Sequence, residues 1–248
     1  MIRGAAFACM MAVALPAAAM VGGARPAQDI RSVMMLTGSR GTFCSGVALA
    51  PALVLTAGHC VLPGADYKLI TFDAARAPAL KDIAAIARHP DFDVNAVLRH
   101  RVTADVALLK LAAPLFVATA SLAPAGGPVA VGDRFLVAGY GVAVRGDGKS
   151  GGTVRAAKLV ATGQPGTLQI RLVDPATKGE RAGLGACTGD SGAPVFRETA
   201  DGLAVIGVVS WSTGPNLSDG CGGLTGVTPL ARYRAWIVEQ AGKFGQPL

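Results

Sequence analysis

Aromatic residues, charges and histidines are all scarce in this chain. Phe, Trp and Tyr together supply 5% of its 248 residues, and Asp, Glu, Lys and Arg 16%. No basic run is interleaved with aromatics, so nucleic-acid binding is not expected. The three histidines, His59, His89 and His100, show no metal-ligand spacing, and no cysteine pair stands as C-x-x-C, which argues against zinc. His89 precedes a proline in a turn-like stretch and His100 sits between two arginines, so both read as surface or structural. Between Tyr67 and Asp82 the only acids are Asp73 and Asp82, too few for a calcium loop. The glycine-rich stretch Gly146–Gly152 lacks the spacing of a phosphate loop and reads as a flexible loop. No cofactor and no metal are therefore expected. The one conspicuous apolar run, Ala5–Leu15, is too short for a comfortable membrane span, so stable membrane association is not expected either.

What is present is an export signal followed by a β-rich pattern. Arg3, the apolar run and Ala17-Ala18-Ala19 read as a secretory signal peptide over residues 1–19, with cleavage after Ala19. The protein is then secreted or periplasmic, an oxidising setting that suits its even count of remaining cysteines, Cys44, Cys60, Cys187 and Cys221. Four cysteines allow three connectivities. Short apolar runs bounded by Gly, Pro and Asp (Val33–Leu36, Val47–Leu55, Ala107–Leu111, Arg134–Ala138, Leu168–Leu172, Leu203–Trp211) predict an all-β fold. At the C-terminus Thr228 suits an N-cap and Pro229 a first helical position. Leu230, Tyr233, Trp236 and Ile237 share a helical face for packing on the adjoining β structure, and Gly242 is a stop signal. The net charge of +7 is scattered, and a basic surface favours acidic partners or anionic cell envelopes.

Three stretches carry chemistry. In Cys187-Thr188-Gly189-Asp190-Ser191-Gly192-Ala193-Pro194 a serine sits between glycines on a tight turn, where a hydroxyl is exposed and backbone can approach a substrate. A hydroxyl needs a base to become a useful nucleophile. His59 supplies one, in Thr56-Ala57-Gly58-His59-Cys60 at the end of an apolar run. Asp105 heads the apolar run Val106-Ala107-Leu108-Leu109, and a carboxylate buried there needs a partner such as an imidazole N–H.

In these three motifs, and in their order His, Asp, Ser, the chain resembles the trypsin/chymotrypsin-like serine proteases from about Met20 to its end. The resemblance implies two antiparallel six-stranded β-barrels with the active site in the cleft between them, plus a C-terminal α-helix. Barrel 1 would span about 20–124, barrel 2 about 125–228 and the helix about 229–241, with the boundary near Ala123–Pro128. It implies a serine endopeptidase in which Ser191 attacks the peptide carbonyl, His59 moves the proton, Asp105 orients His59, and the N–H groups of Gly189 and Ser191 form the oxyanion hole. It also implies disulfides Cys44–Cys60 and Cys187–Cys221, and an activating ion pair between the Met20 α-amine and Asp190. Met replaces the family's usual Ile at that start, and no propeptide is evident.

The same resemblance places Gly185 at the floor of the specificity pocket, beside Ala186 and Thr188, with Ser210, Trp211, Ser212 and Gly226 on the opposite wall. With no charge at the floor, the pocket is expected to prefer uncharged, small-to-medium apolar residues. An acidic preference, with Thr188 and Ser212 bonding a carboxylate, is the second choice. The partners implied are protein or peptide substrates and a protein inhibitor, and the expected state is a monomer. Two other classes share the motifs, a non-catalytic binding module that kept the fold and an esterase using the same triad; the intact triad favours the protease.

Overall fold

A computed structural model describes residues 20–248 apart from 74, 76, 125, 126 and 167. The expected signal segment 1–19 lies outside the described residues, as do two residues of the expected barrel boundary. The chain opens with the two-residue strand β1 (Arg25–Pro26) and then builds a closed barrel from β2 (Val33–Gly38), β3 (Phe43–Ala50), β4 (Leu53–Thr56), β5 (Tyr67–Phe72), β6 (Pro78–Arg88) and β7 (Ala107–Leu111). A short helix, α1 (Val94–Leu98), interrupts it. The strands close in the order β2-β3-β4-β7-β6-β5, each pair antiparallel.

The apolar run Val47–Leu55 is a hairpin, not one strand: Val47 pairs with Leu55, and the turn falls at Pro51-Ala52. Its continuous hydrophobicity has a geometric cause. Successive strand residues face opposite sides, and here both sides are buried. Val47, Leu49, Leu53, Leu55, Val106 and Leu108 join a cluster shared with the rest of the protein. Ala48, Val54, Ala107, Leu109 and Leu111 fill a second cluster made of first-barrel residues.

After β8 (Ser121–Leu122) come β9 (Arg134–Gly139), β10 (Arg155–Thr162), β11 (Ile170–Val173), β12 (Pro194–Thr199), β13 (Gly202–Ser212) and β14 (Thr225–Pro229). The six strands β9–β14 form the second closed antiparallel barrel, in the order β9-β10-β11-β14-β13-β12 with β12 returning to β9. β1 pairs with β10 on its outside, and β8 runs parallel to β13.

The C-terminal helix begins later than its sequence signals suggest. Thr228 does not cap it: Thr228 pairs with Val208 in the sheet, and Pro229 ends β14 opposite Gly207. A 3-10 turn at Ala231–Tyr233 leads into α2 (Arg234–Lys243), which has no side-chain cap. Gly242 lies inside α2; the reversal comes at Gly245, whose φ of +73° suits glycine. The expected apolar stripe does pack, with Leu230, Tyr233 and Ile237 buried. It packs against both barrels, in the cluster that holds Leu55 and Leu108 as well as Phe196 and Val208. The helix thus packs onto both barrels.

Candidate active site

His59 enters on a 3-10 turn (Gly58–Val61) that follows β4. Asp105 precedes β7, the strand hydrogen-bonded to β4, so the sheet register brings the two together. The Asp105 carboxylate is fully buried and receives three donors. His59 backbone N–H reaches Oδ1 at 2.9 Å, His59 Nδ1 reaches Oδ2 at 2.8 Å, and the Ser210 hydroxyl reaches Oδ2 at 2.5 Å. A buried carboxylate that accepts three hydrogen bonds is stable where a bare one is not. The ring nitrogen facing Asp105 must carry a proton, which leaves Nε2 as the acceptor.

Ser210 was expected only as part of a substrate-binding strand. Its side chain is turned onto Asp105 because β13 is irregular there: the pairing with β14 slips between Val209 and Trp211, and bulges re-aim side chains in this way. Nothing in the sequence marks that slip.

Ser191, half-buried, comes from the second barrel on the turn before β12. The turn is locked onto the first barrel by Ser45 of β3, a fully buried residue that no sequence motif singles out. Ser45 N–H donates to Ser191 C=O at 2.8 Å, and Ser45 Oγ donates to Gly189 C=O at 2.8 Å. Gly192 sits so close to the first barrel that an added Cβ would stand 2.2 Å from Thr56 Oγ1 and 2.9 Å from Ala57 N. Ser191 is therefore delivered beside the segment that ends in His59. Among the described residues no hydrogen bond joins the Ser191 hydroxyl to His59; such bonds often tighten only when substrate is bound.

The peptide units around Ser191 are fixed as well. Thr188 C=O accepts Val142 N–H at 2.8 Å, and Asp190 C=O accepts Ala193 N–H at 2.9 Å. In a trans peptide the N–H points opposite to the C=O. The N–H groups of Gly189 and Ser191, on those same two units, have no internal acceptor among the described residues. Gly189 has φ +93°, and its Cβ position is filled by the Phe43 ring, so only glycine fits.

Asp190 is fully buried under this turn. Its carboxylate accepts Gly141 N–H at 2.9 Å and Cys187 N–H at 3.0 Å, and it has no ion-pair partner among the described residues. Burial pushes its pKa up to about 7 against the opposing pull of those two hydrogen bonds. Met20 is fully buried in the second-barrel core beside Ala186 and Ala193, so this Met fills its place without exposure. The next residue, Val21, bridges to Gly185.

The other residues expected at the specificity pocket lie on the Gly185 segment and on β13 and β14. Ala186 N–H donates to buried Thr225 Oγ1 at 3.0 Å, Thr188 is exposed, and Ser212 Oγ donates to Gly220 C=O at 3.3 Å. Gly226 pairs with Trp211 across β13–β14, and an added Cβ there would lie 2.1 Å from the indole, so the ring rests directly on the glycine. The other face of Trp211 is covered by His100, whose imidazole stacks on it at 4.7 Å and 15°. His100 is thus tied to the cleft by one face while staying exposed. His89 is structural: it packs against the Tyr233 and Trp236 rings at 5.0 Å, and this burial lowers its pKa.

Both disulfides form, Cys44–Cys60 and Cys187–Cys221. Cys44 and Cys60 lie near His59, but their sulfurs are bonded to each other and offer no metal a thiolate. The first bridge joins β3 to the His59 turn over 16 residues. Cys44→Ala with Cys60→Ala is expected to lower unfolding free energy by about 3 kcal/mol, read from the shift of a urea midpoint. An unshifted midpoint would show that the bridge does not constrain the unfolded chain.

Comparison with known proteins follows the same lines. The family described as "Trypsin" matches residues 20–237. Among curated relatives the chain is similar to trypsin 5G1 of Aedes aegypti, 28% identical over 237 residues, covering 88% of this chain and 82% of the relative. It is also similar to the vitellin-degrading protease of Bombyx mori, 28% identical over 212 residues, covering 79% and 75% respectively.

Proposed function

The chain belongs to the trypsin family of serine proteases, and on that premise we propose that it is an exported serine endopeptidase. The observation that carries this reading is the fully buried Asp105 holding His59 by both Nδ1 and backbone N–H, in a fold that brings Ser191 to the same junction. Ser191 Oγ attacks the scissile carbonyl carbon while His59 Nε2 takes its proton. The carbonyl oxygen, now an anion, sits against the Gly189 and Ser191 N–H groups, which have no competing acceptor among the described residues. Asp105 stabilises the imidazolium, which then protonates the leaving amine. Water, deprotonated by the same His59, hydrolyses the acyl-enzyme and returns Ser191 to its starting state.

The pocket has no charge at Gly185 or Ala186 and takes uncharged, small-to-medium residues before the cut bond. Signal-peptide cleavage after Ala19 frees the Met20 amine to pair with Asp190. Substrates are proteins or peptides, a protein inhibitor would occupy the same cleft, and the enzyme acts as a secreted or periplasmic monomer.

The test is digestion of a peptide library by the protein beginning at Met20, with Ser191→Ala as control and cleavage sites read by mass spectrometry. Cuts after uncharged residues, absent with the variant, are the expected result. Cuts after Arg or Lys would overturn the pocket assignment alone. No cleavage by folded protein would leave a binding module.

A further inference from the structure

Beside the expected pocket, Arg145 has no ion-pair partner among the described residues. Arg145 lies on the exposed stretch between β9 and β10, and its guanidinium covers Gly220: an added Cβ on Gly220 would meet Arg145 Nη1 at 2.8 Å. Gly220 is the residue whose carbonyl accepts the Ser212 hydroxyl on the pocket wall. Three residues before Arg145, Val142 N–H is bonded to Thr188 C=O beside the Ser191 turn. The Val142–Arg145 segment therefore spans from one wall of the pocket to the other, and Arg145 is at its far end.

The segment is held in place. Ala143 N–H and Val144 N–H both donate to Ser150 Oγ at 3.0 Å. Asp147, two residues after Arg145, and Asp219, next to Gly220, are exposed but form no ion pair with the guanidinium among the described residues. Asp147 accepts Lys149 N–H at 3.0 Å instead. Below the mouth, Gly185, Ala186 and Gly226 carry no charge, and the two carboxylates of the site, Asp105 and Asp190, are fully buried. On the opposite side of the cleft the Trp211 indole is covered by His100, flanked by exposed Arg99 and Arg101. A peptide entering this cleft meets exposed positive charge on both sides, while the exposed carboxylates Asp147 and Asp219 stand near Arg145 without forming an ion pair with it among the described residues.

We propose that Arg145 is a specificity-determining residue that selects peptide substrates carrying a carboxylate side chain within two residues of the cut bond. The proposal rests on the serine-endopeptidase reading and deepens it by naming the substrate class as acidic peptide segments. Arginine suits the task because its planar fork matches both oxygens of a carboxylate. The uncharged pocket admits the residue before the cut, and Arg145 holds the acid beside it.

The experiment uses the protein starting at Met20 and a set of fluorogenic peptides with a common uncharged core. Asp or Glu is placed in turn at each of the two residues on either side of the bond, and a peptide with none serves as reference. The readout is the ratio of kcat/KM for each acidic peptide to that for the neutral one, in wild type, Arg145→Gln and Arg145→Lys. Wild type is expected to show a ratio of about ten at one position, the scale of one charge-assisted hydrogen bond. Arg145→Gln is expected to bring that ratio near one and Arg145→Lys to retain part of it. For wild type the ratio is expected to fall as salt is raised. Ratios near one throughout, or an acid preference kept in full by Arg145→Gln, would overturn the proposal while leaving the endopeptidase standing. Failure to cut any peptide, neutral ones included, would instead overturn the endopeptidase reading beneath it.

Discussion

Asp105→Asn is expected to lower kcat about 10⁴-fold at neutral pH with little change in KM. The reason is a mismatch of donors. Asp105 accepts from three groups, and an asparagine side chain offers one accepting oxygen and one NH₂. If the oxygen keeps the His59 backbone N–H, the NH₂ faces Nδ1 and forces the ring proton onto Nε2. That nitrogen then has no lone pair for the Ser191 proton. If the amide turns over, the NH₂ opposes the backbone N–H and leaves two buried donors facing each other, which costs about 1–3 kcal/mol. Steady-state kinetics on a peptide substrate measure the loss, and a thermal melt separates it from unfolding. A variant with folded stability and near-normal kcat would show that Asp105 does not set the tautomer of His59.

The second large effect concerns the N-terminus. A chain that retains residues before Met20 has no amine to offer Asp190, whose pKa is then raised to about 7 by burial. A folded-state pKa above the unfolded one gives stability that is complete below the unfolded value, 3.8, and is lost as pH rises through about 7. The uncleaved form is therefore expected to lose about 4 kcal/mol of stability between pH 4 and pH 8, the equivalent of about three pK units. Asp190→Asn in that same uncleaved chain should flatten the profile. The form starting at Met20, with the pair made, is expected to hold its stability at pH 8 and to be at least about 100-fold more active than the uncleaved form, the scale of a lost oxyanion donor, because the Asp190 turn carries the Gly189 and Ser191 N–H groups. Urea titrations from pH 4 to 8 on both forms decide it. Parallel profiles would mean that the Met20 amine does not reach Asp190.

The parts of the site that the sequence made legible are those carried by contiguous residues. Thr56–Cys60, Asp105–Leu109 and Gly189–Gly192 each hold one group of the proposed triad together with the local backbone that presents it. The strands β7, β9 and β13 were legible because apolar residues dominate each of them. β6 was not, because Pro78–Asp82 is exposed and its alternation is diluted by Lys81 and Asp82. Thr228-Pro229 has the local chemistry of a helix start, yet long-range pairing with Gly207 and Val208 claims both residues for a strand. Ser45, the Ser210 bulge, the His100–Trp211 stack and the Arg145–Gly220 contact join residues from 75 to 146 positions apart or depend on strand slippage. Such relations exist only after the chain has closed, so no window of sequence contains them.

The lock between Ser45 and the Ser191 turn has a consequence in time. Synthesis runs from the N-terminus, so the first-barrel strands, ending at Leu111, are made before Ser191, which follows 80 residues later. Until then Ser45 has no Ser191 or Gly189 carbonyl to grip, and Asp105 lacks the Ser210 hydroxyl. A half-made chain therefore holds His59 and Asp105 without the serine, and many of the first barrel's apolar residues still await the cluster they share with the second. The junction of all three groups exists only once the later barrel docks onto the earlier one.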